Sequence, residues 1–277
     1  MRLSPQLHRW LYGYHQMEFS MTVRFGGYRP MIFLHTGMAT AMFVLGTALA
    51  AWARWRAGQS RPWIAAWLTA VLVICKSTGA IVYGAAAVPL VAWARRPRAA
   101  VAAALALMVL LYPALRGADI FPADTLVDAA GLINEERRLS LWFRFDQEDQ
   151  LLERARERLV FGWGSYSRNR LFDPETGADL SVTDGNWIIE VGCRGLVGFL
   201  ALYGMLVLPI LVVARRMGRI RRDEDRVLLA GLALISALFT VDLLPNGLFN
   251  DLPFFFAGAV AGLADGLSRA ARRAGRR

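Results

Sequence analysis

The sequence predicts an all-α, polytopic membrane protein with about seven transmembrane helices and one large extracytoplasmic loop. Three observations carry that expectation. Apolar residues make up 56% of the 277 residues and fall in blocks, not on the narrow stripes of soluble helices. Basic residues collect in short clusters between those blocks. One long polar stretch, 116–186, interrupts the pattern.

The net charge of +10 raises the question of nucleic acid. No basic stripe with interleaved aromatics is present, and clusters between apolar blocks are how membrane orientation is encoded, so nucleic acid is not an expected partner. The lipid bilayer is. Lys76 is the only lysine. Cys75 and Cys193 lie in or beside apolar segments without metal-ligand spacing and read as small buried hydrophobes.

A bilayer core takes roughly 20 apolar residues per helix. Spans are expected near 31–53, 63–75, 80–94, 99–115, 187–213, 227–243 and 252–267. A single helix from Trp63 to Ala94 would be about 48 Å long, well beyond a core of about 30 Å. Two spans meeting at Lys76-Ser77-Thr78-Gly79 fit better, with Gly79 as the expected breaker. Arginines then follow the first span (Arg54, Arg56, Arg61), the third (Arg95, Arg96, Arg98), the fifth (Arg215 to Arg226) and the last (Arg269 to Arg277). Seventeen arginines thus share one face, while the short opposite connections carry only Lys76. By the positive-inside rule the arginine face is cytoplasmic and 116–186 is outside. The domain organisation follows: an extracytoplasmic segment 1–29, a four-helix membrane half 30–115, the loop 116–186, a three-helix half 187–268 and a basic cytoplasmic tail 269–277.

Residues 1–29 must lie outside, yet His8-Arg9-Trp10 and Glu18 break every apolar run that could deliver them. The simplest expectation is that the chain is the C-terminal part of a longer protein. Translocation of a short tail unaided is the alternative.

The loop holds nine arginines and fourteen acidic residues, so any arginine that acts must act locally. Leu141-Trp142-Phe143 and Leu151-Leu152 through Leu159 predict amphipathic helices lying over the membrane face. Phe161-Gly162-Trp163-Gly164 and Asp173-Pro174-Glu175-Thr176-Gly177 read as turns. Trp187 is expected at the membrane interface, where the loop re-enters.

Four features in order give the chain a likeness. They are Arg24-Phe25-Gly26-Gly27-Tyr28-Arg29-Pro30 before a span, Lys76-Ser77-Thr78-Gly79-Ala80 between paired helices, Arg138 and Trp142 some twenty residues ahead of Phe161-Gly162-Trp163-Gly164, and Asn186 followed by Gly192, Gly195 and Gly198. From Arg24 onward the chain resembles the C-terminal part of the O-antigen ligase and O-antigen polymerase superfamily. Two departures stand out. Gly185 occupies the place of the ligases' histidine, with Asp184 just before it. Ser77-Thr78-Gly79 replaces a Ser-Arg-Gly, with Lys76 as the nearest positive charge.

The resemblance implies a polymerase-like glycosyltransferase at the outer membrane face, with a polyprenyl-diphosphate-linked glycan as donor. It implies other polysaccharide-assembly proteins as partners and no cofactor. A leaving diphosphate develops negative charge, which guanidinium groups stabilise, and the acceptor hydroxyl needs a base. Arg24, Arg29, Lys76 and Arg138 are the expected diphosphate ligands and Asp184 the expected base. Trp142, Asn186, Glu190 and Arg194 are the expected supporting residues. Each has a structural alternative. Arg24 and Arg29 could be interfacial anchors, Lys76 could snorkel, and Arg138 could pair with Glu135 or Glu136. Asp184 and Asn186 could cap a helix, and Glu190 with Arg194 could form an i, i+4 ion pair. Asp242 is a weaker candidate.

His8, His15 and His35 lack second-ligand spacing, so no metal is expected. Asp223-Glu224-Asp225 lies in a short connection with no room for a nucleotide-binding domain and reads as solvated charge. The chain has no P-loop, dinucleotide fingerprint or serine elbow. Two other classes compete with the glycosyltransferase: a transporter or flippase, and a non-catalytic remnant of the superfamily. A cysteine engineered into the Asp173–Gly177 turn should react with a membrane-impermeant maleimide added from outside; labelling from the cytosolic side would remove the setting for carrier-lipid chemistry.

Overall fold

The structure is a computed structural model that describes residues 3–14, 22–24, 26–31, 34, 36–93, 98–132, 134–247 and 251–274. His15 and His35 lie outside these residues. Among the described residues the regular elements are helices apart from one hairpin of two-residue strands and an isolated bridge. Ten helices run in order: α1 Leu3–Tyr12, α2 Gly37–Arg56, α3 Pro62–Ile74, α4 Thr78–Ala92, α5 Arg98–Gly117, α6 Ala123–Gly131, α7 Glu135–Arg156, α8 Asn186–Arg216, α9 Asp223–Asp242 and α10 Leu252–Ala274. The hairpin pairs β1, Val23–Arg24, with β2, Gly27–Tyr28.

Each expected span falls on a helix. Three helices, α2, α5 and α8, are long and apolar enough to cross a membrane. α3, α4 and the apolar part of α10 are shorter, and α9 opens on Asp223, Glu224 and Asp225. Those carboxylates complement the helix dipole at its positive end, a structural use for the acidic triplet. Residues 1–29 were expected without a span; a ten-residue helix, α1, forms there, with buried His8 bonded through Nδ1 to the Tyr14 carbonyl oxygen.

The chain divides into two compact units. One comprises 1–102, 212–238 and 258–277. Here Thr36 caps α2 by accepting from the Ala39 N–H at 3.1 Å, and α2 packs against both α3 and α4. Trp52 donates to Thr69 of α3 at 3.0 Å. Gly84 of α4 lets Leu72 and Leu45 close in; a Cβ there would meet Leu72 at 2.7 Å. Pro62 starts α3 at a position whose N–H has no intrahelical partner anyway. The break between α3 and α4 differs from expectation. Lys76, with φ 52, makes the turn, Ser77 occupies the N-cap position, and Gly79 lies inside α4 with an ordinary helical conformation. A left-handed lysine is unusual and marks a locally constrained corner.

The other unit comprises 103–211 and 239–257. α6 and α7 form a helical hairpin, with Gly131 closely approached by the Arg138 side chain. α7 is one 22-residue helix, longer than the pattern from Leu141 foretold, and Leu159 falls beyond its end. Leu151 and Leu152 are buried in protein, not laid on a membrane face. Trp187, expected at an interface, is fully buried and donates to Glu148 at 3.0 Å.

α8 is broken at Gly195, whose backbone has φ 66 and ψ −171. The residues between α7 and the arginine-bearing loop run alongside the break. Leu196 and Val197 N–H groups donate to the Leu159 and Val160 carbonyls at 2.8 and 3.2 Å. Trp163 and Gly164 N–H groups donate to the Gly192 and Cys193 carbonyls at 2.9 and 2.8 Å. Groups freed by the break are thereby paired again. The close approach demands glycine on both sides. A Cβ at Gly195 would lie 2.2 Å from the Val160 oxygen, and one at Gly162, φ 68, would lie 2.5 Å from the Cys193 carbonyl carbon.

Gly195→Ala should therefore combine a left-handed strain with a backbone clash, costing about 3 kcal/mol or more. Gly204→Ala on the same helix, with nothing within 4 Å, should leave stability unchanged or raise it slightly. Thermal unfolding in detergent compares the two.

Candidate functional site

The last turn of α7 places Arg154 and the turn beyond it places Arg158, four residues apart and therefore on one side. Both guanidiniums lie over the Trp163 indole, their central carbons 3.6 and 4.6 Å from a ring centroid. The indole is fixed from two directions. Its Nε1 donates to the Arg154 carbonyl at 3.0 Å, and its backbone N–H is one of the bonds that mend α8. Arg170 comes from the next turn. Asp179 forms an ion pair with it, Oδ2 lying 2.9 Å from Nε, Ser181 accepts from it through its carbonyl at 2.5 Å, and the Tyr166 hydroxyl accepts at 3.1 Å. Between them stands Arg168, following Ser167 with φ 85, a conformation that side chains beyond Cβ rarely adopt.

The loop supporting these groups is a short turn-and-bridge. Asp173 accepts through Oδ1 from the Glu175 and Thr176 N–H groups at 2.8 and 2.9 Å, and Gly177 takes φ 68. These two backbone bonds hold the Asp173 carboxyl below its ordinary range. Phe172 then bridges to Asp179, and Leu180 donates to Leu171.

Together Arg154, Arg158, Trp163, Arg168, Arg170 and Phe172 line a cleft of about 290 Å³. Glu157 pairs with Arg154 at 2.9 Å and Asp179 with Arg170. Arg158 and Arg168 have no carboxylate partner among the described residues. Four guanidiniums against two carboxylates leave the cleft cationic. Planar forks of N–H donors suit phosphate-type oxygens, and the rings give the cleft apolar walls. No group of three or more metal-ligating side chains occurs among the described residues.

The residues named from sequence are distributed as follows. In the first unit, Arg24 pairs with Gly27 across the hairpin, and the Lys76 amine lies so close to Gly27 that a Cβ there would be 2.3 Å from it. The Arg29 side chain packs against Gly37. Two motifs some fifty residues apart thus meet. In the second unit, Arg138 is engaged by Glu135, donating to its oxygens at 2.6 to 3.0 Å, and this contact raises the arginine and lowers the glutamate from their usual ranges. Both are exposed. Trp142 is exposed as well.

Asp184 meets Arg144 at 3.0 Å. The preceding Thr183 hydroxyl is 3.3 Å from the Tyr166 hydroxyl, which in turn accepts from Arg170. Thr183, the residue before Asp184 in the chain, thus reaches the Tyr166 hydroxyl that Arg170 also contacts. Asn186 is buried, with its N–H on the Leu243 carbonyl and its Oδ1 accepting from the Tyr203 hydroxyl at 3.0 Å. Glu190 and Arg194 form the expected i, i+4 pair at 2.5 to 2.6 Å. Asp242 accepts from Asn246 at 2.9 Å.

Comparison with protein-family models, curated proteins and solved structures finds no match.

Sequence reasoning missed the cleft arginines because it weighed them as a count; the Arg154–Arg158 spacing was the available signal. It also missed a buried polar cluster. Arg116 is 4% exposed, stacks on Phe145, and lies 2.6 Å from Asp149 and 3.6 Å from Glu148. Glu148 also accepts from Tyr112 and Trp187, each at 3.0 Å. Tyr112 looked like an ordinary span residue and Trp187 like an interfacial one.

Burial raises Glu148 above the ordinary carboxyl range, against its bonds from Trp187, Arg116 and Tyr112. A raised folded-state value means the contribution to stability is present in acid and lost as pH climbs through that value. Arg116→Met removes the compensating cation, so its penalty, about 3–5 kcal/mol where Glu148 is charged, should shrink on acidification. Arg116→Met/Glu148→Gln should recover most of the loss at neutral pH. Denaturation midpoints of the three proteins across pH check both statements.

Proposed function

We propose that the chain is a polymerase-like membrane glycosyltransferase of surface polysaccharide assembly. Its donor is a polyprenyl-diphosphate-linked glycan, handled at the extracytoplasmic face of a bacterial inner membrane. The cleft of Arg154, Arg158, Arg168 and Arg170 around Trp163 carries this reading. It supplies the cationic, fork-shaped donors that a departing lipid diphosphate requires. These arginines, not the Glu135-bound Arg138, are assigned to the diphosphate. Asp184, whose chain neighbour Thr183 reaches the Tyr166 hydroxyl contacted by Arg170, is assigned as the base for the acceptor hydroxyl. Arg144 orients its carboxylate and must yield it to the hydroxyl. Arg24, Arg29 and Lys76, all in the first unit, are assigned to the donor's path. In this reading all seven apolar helical segments are in the membrane and the α6–α7 region is outside.

Gly185 supports a polymerase over a ligase. A Cβ there would stand 2.3 Å from the Leu244 carbonyl oxygen, so the ligases' histidine does not fit that backbone. The break in α8 favours one competitor, a transporter, since broken helices line many transport paths. The two readings part in a deletion strain: single lipid-linked repeat units accumulate outside the membrane if the polymerase is lost and inside if a flippase is lost.

Arg158→Ala/Arg168→Ala should weaken binding of farnesyl diphosphate, a short carrier analogue, by roughly 10-fold or more and abolish polymer formation at unchanged expression. Arg138→Ala should bind the analogue as the parent does. Full-length polymer from the double variant would overturn the assignment.

A further inference from the structure

An apolar patch on the α6–α7 hairpin stands outside all the chemistry above. Leu132 at the corner is 90% exposed, and Leu139, Trp142 and Phe143 on α7 are 50, 51 and 42% exposed. The last three sit at i, i+3 and i+4 and share one face. Every buried residue of α7 lies in its second half, from Gln147 to Ala155, so the first half leans on little but α6. Yet α7 carries Glu135, Glu136, Arg137, Arg138, Arg144 and Asp146 along that same half. Such a helix is too charged to enter hydrocarbon and too apolar on one side to face water alone.

We infer that Leu132, Leu139, Trp142 and Phe143 form an interfacial anchor, seated among the lipid headgroups beside the spanning helices. Continuity along the chain argues for lipid as the occupant. Leu107, Met108 and Leu111 of α5 are exposed apolar residues on a helix long enough to span, and α5 ends at Gly117. Ile120, 68% exposed, follows at once, and Leu126 of α6, 42% exposed, leads to Leu132. Exposed apolar side chains therefore recur along the chain from a helix long enough to span to the hairpin. A second copy of the chain fits less well. Four side chains fall short of the roughly 800 Å² per partner of a stable interface, and docking would strip water from the flanking carboxylates. At the headgroup level those carboxylates stay hydrated while the tryptophan finds the environment it favours.

The inference rests on reading α5 and α8 as spanning helices, and the test separates the two. Cys75 and Cys193 are buried, so single cysteines introduced as Leu132→Cys, Leu200→Cys on α8, and Glu175→Cys in the polar turn can be labelled selectively with an environment-sensitive fluorophore. The labelled full chain is reconstituted in phosphatidylcholine vesicles carrying nitroxides at shallow or deep positions. The Leu132 probe should be quenched by shallow nitroxide roughly three-fold more than the Glu175 probe, and more than by deep nitroxide. The Leu200 probe should respond most to the deep label. Equal quenching at Leu132 and Glu175, with Leu200 quenched as expected, overturns the anchor alone. An unquenched Leu200 probe overturns the spanning reading and the anchor with it. Emission at Leu132 that changes with protein-to-lipid ratio and ignores nitroxide overturns lipid in favour of a second copy.

Discussion

The mended break in α8 is the constraint on which the second unit depends. A helix interrupted at Gly195 exposes backbone donors and acceptors that an apolar environment cannot satisfy. The turn from Leu159 to Gly164 satisfies them, and it can do so only because Gly162 and Gly195 allow the two backbones to touch. That contact fixes Trp163, and Trp163 in turn fixes the guanidiniums of Arg154 and Arg158. The cleft is thus tied to the main chain of a spanning helix through hydrogen bonds, not held by a mobile loop of its own.

The buried cluster of Arg116, Glu148, Tyr112 and Trp187 does related work near the middle of α7. It joins the end of α5 to the second half of α7 and to the first turn of α8. Its two buried charges lie 3.6 Å apart, and each is hydrogen-bonded by other groups, Glu148 by Tyr112 and Trp187 and Arg116 by Asp149 and the Phe145 carbonyl, which is the condition under which such groups can leave water. α7 is therefore buried along its C-terminal half, whereas its N-terminal half packs mainly on α6 and buries no residue, an asymmetry that separates the polar site from the apolar corner.

Helix positions were legible in the sequence because apolar blocks and arginine flanks mark them without reference to tertiary contacts. The turns at Gly162 and Asp173 were legible for the same local reason. What was lost depended on partners distant in sequence. Trp187 reads as an interfacial residue until Glu148 is found against its nitrogen. Lys76 reads as an ion near a turn, whereas it makes the turn itself, a task the neighbouring glycine seemed suited to perform. The arginines of the cleft were visible, but their convergence depends on the Trp163 contact with α8 and on the bridge between Phe172 and Asp179. Periodicity reports none of these.

The corner at Lys76 has a mechanical consequence for the surrounding lipid. It leaves α3 with 13 residues and α4 with 15, about 20 and 22 Å of rise. Were α3 and α4 to span the bilayer as proposed, acyl chains packed around that pair would meet a hydrophobic girdle shorter than an undisturbed bilayer by roughly 8–10 Å, and the leaflets would have to pinch inward to match it. Headgroups would ride lower there than elsewhere, bringing the polar end of any neighbouring lipid towards the level of the lysine amine.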